Sequence, residues 1–136
     1  MKTGMLLACC LISLVLPAAE TFRDAMGRLQ GTATTTGNKT VYRDSMGRTV
    51  GTATVEGNKT IYRDSMGRYQ GSATTSGNKT VYRDAMGRQQ GSSTTSSYGT
   101  TTYRDAMGRQ QGTSRTSGNG TTTYRDAQGR LQGTRR

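Results

Sequence analysis

The chain has 136 residues, with 19 Lys and Arg against 8 Asp and Glu, a formal net charge of +11, and neither histidine nor tryptophan. Its two cysteines, Cys9 and Cys10, both lie close to the N-terminus. Beyond residue 19 this composition excludes cysteine- and histidine-based metal sites, histidine general bases, cysteine nucleophiles and disulfides.

Residues 1–19 read as an export signal. Lys2 supplies a positive start, Met5 to Leu16 an apolar stretch, and Pro17-Ala18-Ala19 a small-residue cleavage site ahead of Glu20. The apolar stretch is shorter than a comfortable membrane span, and no second one follows it. Leu6-Leu7-Ala8-Cys9 also resembles a lipoprotein box with Cys9 as the lipidated residue. Ordinary cleavage is the preferred reading, because Cys10 to Leu16 stay apolar where a lipidated chain turns polar. The expected location is secreted, periplasmic or on the cell surface.

From residue 20 the chain is one repeated unit, Tyr-Arg-Asp-(Ala/Ser)-Met-Gly-Arg, beginning at Tyr42, Tyr62, Tyr82 and Tyr103. A Phe22 version precedes them, and a Tyr124 version with Gln128 for Met follows. Asp24, Asp44, Asp64, Asp84, Asp105 and Asp126 mark six copies at a period of 20, then 21. Such a period signals modular architecture, in which function lies in a repeated surface and not in one pocket. Large aliphatic residues are few, so the domain 20–136 has no large core. The regular Tyr, Gly and Thr spacing nevertheless favours a thin β-structure over disorder.

Within one copy, the Thr-rich stretch after Gly31 and the segment Thr40-Val41-Tyr42-Arg43 favour strand. Gly37-Asn38 suits a two-residue hairpin turn, with Gly accepting positive φ at the first central position. Asp44-Ser45-Met46-Gly47 suits a type I turn, with Asp bonding to backbone ahead of it and Gly in the left-handed region. The first turn sets Ala33 opposite Tyr42 and Thr32 opposite Arg43. A four-residue loop at the second would set Arg43 opposite Arg48 and Tyr42 opposite Thr49. Both registers place Tyr42, Thr40, Ala33 and Gly31 on one face and Arg43, Val41, Thr32 and Arg48 on the other.

The predicted fold is therefore all-β: an antiparallel β-hairpin meander forming a single-layer or thin sheet. The alternative is a β-solenoid with one 20–21-residue repeat per coil, in which Asn38, Asn58 and Asn78 would stack as a ladder. The later copies gain one residue each, at Ser96-Ser97-Tyr98-Gly99 and Ser117-Gly118-Asn119-Gly120, where insertion is expected in loops. Asn38, Asn58, Asn78 and Asn119 also match the N-glycosylation acceptor pattern.

The stretch Gly118-Asn119-Gly120-Thr121-Thr122-Thr123-Tyr124-Arg125-Asp126-Ala127-Gln128-Gly129-Arg130-Leu131 resembles the YD repeat of the RHS family. MORN repeats are similar in their Tyr and Gly spacing. Arg43, Arg63 and their equivalents depart from the YD pattern by standing where it has a second Tyr. The resemblance implies β-hairpin repeats and carries over no site.

Two functional expectations follow. The first is an exported, non-enzymatic structural protein that self-associates through strand edges or forms part of the cell surface or extracellular matrix, with Tyr42, Tyr62, Tyr82, Tyr103 and Tyr124 available for stacking. The second is a basic module that binds anionic polysaccharide, lipopolysaccharide, lipid or nucleic acid. It would do so through Arg43, Arg48, Arg63, Arg68, Arg83, Arg88, Arg104, Arg109, Arg125 and Arg130. No catalytic group, cofactor or metal is expected. Asp beside Arg at a turn is explained by the turn, and the oxygen ligands are too sparse for calcium.

Overall fold

The computed structural model describes residues 19–136. The segment expected to be an export signal and Cys9 lie outside the described residues, apart from Ala19, which begins the first strand.

Twelve strands follow in order: β1 (Ala19–Asp24), β2 (Leu29–Thr36), β3 (Lys39–Asp44), β4 (Thr49–Glu56), β5 (Lys59–Asp64), β6 (Tyr69–Ser76), β7 (Lys79–Asp84), β8 (Gln89–Thr95), β9 (Thr100–Asp105), β10 (Gln110–Thr116), β11 (Thr122–Asp126) and β12 (Leu131–Arg135). Each pairs antiparallel with its sequence neighbours. The expected hairpin meander is present. The solenoid, whose coils would stack in parallel, is excluded by this pairing.

The sheet is not an open layer. β1 pairs with β12 through Phe22↔Arg135, Arg23↔Thr134 and Asp24↔Gly133, and the twelve strands close into a barrel. Backbone hydrogen bonds of 2.7 Å from Thr21 N–H to the Arg136 carbonyl and 3.1 Å in return extend this seam. Closure leaves neither terminal strand with the free edge on which edge-to-edge association was expected to depend.

Curvature originates in the Asp turns. Gly47 N–H donates to the Asp44 carbonyl and Asp44 N–H to the Arg48 carbonyl, at 3.0 and 2.9 Å, with Gly47 at φ +82°. This is a three-residue loop, a type I turn followed by a left-handed glycine. Asp44, not Arg43, therefore sits across from Arg48. Arg43 then faces Thr49 and Tyr42 faces Gly51, leaving Val50 as an extra residue in a β-bulge. The expected Arg43–Arg48 and Tyr42–Thr49 registers are thus corrected by one shorter loop and one bulge. The same bulge recurs at each Asp turn, for example between Tyr62 and Arg63 and between Tyr124 and Arg125. Bulges bend a strand and raise its local twist, which is how a sheet is curled shut.

The Gly-Asn turn behaves as the sequence indicates. Ala33↔Tyr42 and Thr32↔Arg43 are paired, and Gly37 has φ +59°. In the later copies the inserted residue converts this turn into a three-residue loop, with Gly99 at φ +77° and Gly120 at φ +83°.

The Tyr face is the inside of the barrel. Each repeat tyrosine lies between a glycine on one neighbour and Ala or Ser on the other, as Tyr62 does between Gly71 and Ala53, whereas Phe22 lies between Gly31 and Arg135. Phe22, Tyr42, Tyr62, Ala33, Ala53 and Ala73 form the buried core cluster, with Tyr82 packed against it. The glycines are needed there. A Cβ on Gly71 would stand 2.2 Å from the Arg83 carbonyl oxygen. The outward face carries mainly Thr, Lys and Arg on strands of 5–8 residues. That is unlike the apolar band and longer strands of lipid-spanning barrels. Among the described residues no helix is long and apolar enough to cross a membrane.

Candidate functional site: an arginine rim

An up-and-down barrel sends alternate turns to opposite ends. All six Asp turns therefore share one end, and the Gly-Asn turns and their longer equivalents share the other. This collects twelve arginines and six aspartates, a net of +6, around one rim.

Each turn builds the same cation site. Asp44 Oδ1 accepts from Met46 N–H and Arg48 N–H at 2.9 and 3.0 Å, and Oδ2 accepts from Arg48 Nε at 2.9 Å. All six copies hold this ion pair at 2.7–2.9 Å, with the Arg side chain 69–76% exposed and the Asp 14–23%. The exposed head groups keep most of their donors toward solvent. The second arginine of each copy braces the loop: Nη1 of Arg43 donates to the Gly47 carbonyl at 3.2 Å, and Arg23, Arg63, Arg83, Arg104 and Arg125 do likewise at 2.8–3.1 Å. Gln30, Gln70, Gln90, Gln111 and Gln132, at the bulges, add a bond to the Asp Oδ2 at 3.0–3.3 Å.

The carboxyls respond to this surrounding. Asp24 is lowered from 3.8 chiefly by the Arg28 backbone donor. In the other five, loss of solvent is the largest single influence and pushes upward, but the hydrogen-bond donors, joined by the Arg charge in all but Asp84, outweigh it and the net shift is downward. Each Asp is thus an ionised turn anchor. Among the described residues no group of three or more acidic, His or Cys side chains is placed to hold a metal ion.

The ten arginines singled out from the sequence all reach this rim, joined by Arg23 and Arg28 of the first copy. They are arranged around shared turns and not as cross-strand Arg pairs. The tyrosines divide. Tyr42, Tyr62 and Tyr124 are each 8% exposed, so their rings fill the core instead of offering a stacking surface. Tyr82 and Tyr103 are half-buried, and their hydroxyls bond to Ser93 Oγ at 2.8 Å and Ser114 Oγ at 3.0 Å. Beside them is a partly open cavity of about 580 Å³, lined in part by Tyr62, Tyr82, Tyr103, Gln70, Gln90 and Gln111. Asp84, Asp105, Arg83 and Arg104 also reach its wall. Tyr and Arg, which alternation along the strand assigns to opposite faces, therefore meet at this rim.

Sequence reasoning missed the loop tips. Met26, Met46, Met66, Met86 and Met107 are 76–81% exposed and crown the arginine rim. With Leu29, Val50, Tyr69 and Leu131 they make nine of the eleven exposed large hydrophobics among the described residues, all at that end. The clue was present, since Met occupies the third position of every Asp turn but the last.

No protein-family model matches the chain, and a search of curated proteins finds no similar one.

Proposed function

We propose that this protein is an exported, non-enzymatic binding module whose arginine rim grips polyanionic material outside the cytoplasm. The observation that carries the reading is the concentration of twelve arginines against six aspartates on one end of the barrel. Six of those side chains are at least 69% exposed. Like charges held close on a fixed frame raise the local potential and attract a multivalent anion more strongly than the same charges scattered. The methionine tips add flexible apolar contact around the cations.

This reading is favoured over self-association through strand edges, because β1 and β12 pair with each other. Stacking two rims end to end would also oppose two sets of excess positive charge.

Titration with polyphosphate tests the proposal. Tight binding at roughly 50 mM salt should weaken steeply by 200 mM, as released counterions demand. Absence of binding at the lower salt, or affinity indifferent to salt, would remove it.

A further inference from the structure

We infer that the cavity beside Tyr82 and Tyr103 is a sugar subsite, so that the polyanion held by the rim is an acidic glycan. The inference rests on the polyanion-binding reading above and narrows it.

The cavity, about 580 Å³, falls within the roughly 300–1,000 Å³ typical of small-ligand sites. Its lining joins two chemistries. The half-buried Tyr82 and Tyr103 are aromatic, while Gln70, Gln90 and Gln111 bring amides. A pyranose ring needs both, because it has a C–H face that packs on aromatic carbon and an edge of hydroxyls that needs donors and acceptors.

Two features prepare the site. Glycine pairs with both rings across the bulged hairpin, Gly91 with Tyr82 and Gly112 with Tyr103, so no Cβ crowds them from that position. The Tyr82 and Tyr103 hydroxyls are fixed by Ser93 and Ser114, which stand where earlier copies have Ala33, Ala53 and Ala73. A ring already held in place loses little freedom when a ligand packs on it.

The amides are equally arranged. Gln70, Gln90 and Gln111 each donate Nε2 to the Asp of their own turn, at 3.3, 3.0 and 3.3 Å. That bond orients the amide and leaves its oxygen as an acceptor for a sugar hydroxyl. The neighbouring Arg83 and Arg104 can meet a sugar carboxylate or sulfate as charge-assisted donors. The cavity therefore distinguishes an acidic sugar chain from a bare phosphate chain of equal charge.

The test is calorimetric titration of the purified protein with oligogalacturonate, a chain of acidic sugars, and with polyphosphate of matched charge number. The wild type should prefer the sugar chain by about tenfold, the contribution of an aromatic contact and a hydrogen bond together. The double variant Gln90→Ala/Gln111→Ala changes two exposed side chains and should lose that preference, read as the ratio of sugar-chain to polyphosphate affinity, because both amides also bond to rim carboxylates. Tyr103→Phe keeps the ring, releases it from Ser114 and should weaken only the sugar chain. Equal affinity of the wild type for both ligands overturns the sugar subsite and leaves the rim reading standing, as does a preference that survives the double variant. Failure of both ligands to bind at low salt overturns both.

Discussion

Glu20 and Arg135 form an ion pair across the seam of the barrel, Nη1 to Oε2 at 3.6 Å, with side chains only 13% and 8% exposed. Both residues break the repeat. Glu20 stands where later copies have Thr40, Thr60, Thr80, Thr101 and Thr122, and Arg135 where they have Ala33, Ala53, Ala73, Ser93 and Ser114. The two exceptions face each other only when the first strand meets the last. A buried charge left alone is costly, so Arg135→Ala should lower stability by about 1–3 kcal/mol. Restoring the repeat consensus at both positions, Glu20→Thr with Arg135→Ala, should recover most of that loss. Urea denaturation of the three proteins checks it; equal midpoints for single and double variants would show no coupling.

The Asp turns set the acid limit. The folded carboxyls lie below their ordinary value of 3.8. Their contribution is therefore complete above about pH 4, where the unfolded carboxyls are also ionised, and is lost as pH falls through the depressed folded values. With no histidine, stability should be flat from about pH 5 to 8 and should fall only in more acidic solution. Asp64→Ala removes the partner of Met66 N–H, Arg68 N–H and Arg68 Nε together, and should lower the melting temperature more than Arg68→Ala. Circular dichroism against pH and temperature measures both effects.

The ladder glycines differ in tolerance. A Cβ at Gly71 meets the Arg83 carbonyl oxygen at 2.2 Å, with φ +146° adding strain, whereas at Gly51 the corresponding approach to Arg63 is 2.7 Å. Backbone cannot swing aside as a side chain can. Gly71→Ala should cost about 2–3 kcal/mol, and Gly51→Ala less. A reversed order in thermal melts would contradict this packing.

The exposed arginines should act additively on anion binding. Replacing Arg48 and then Arg68 with Gln should lower the slope of log affinity against log salt by about 1 for each residue in contact with a phosphate. An unchanged slope in the double variant would place the anion elsewhere.

Much of the fold is legible in the repeat. Gly37-Asn38 determined one register correctly, and Tyr alternating with Thr and Ala marked the inner face. The second register was misread because Asp44 to Gly47 permits two loop lengths, and the extra residue at Val50 has no signature of its own. Closure was hidden for a related reason. It depends on the twist accumulated over six bulges, and its one local sign is a complementary pair, Glu20 and Arg135, far apart in sequence. The arginines were identifiable as residue types. Their gathering at one end follows from topology, which a single copy does not contain.

β1 and β12 also fix how the barrel can be mounted. Both begin or finish at the Gly-Asn end, so residues 19 and 136 leave from the side away from the arginines. Anything joined covalently to either terminus therefore serves as a handle at the back, and the cationic crown points forward, toward whatever it meets.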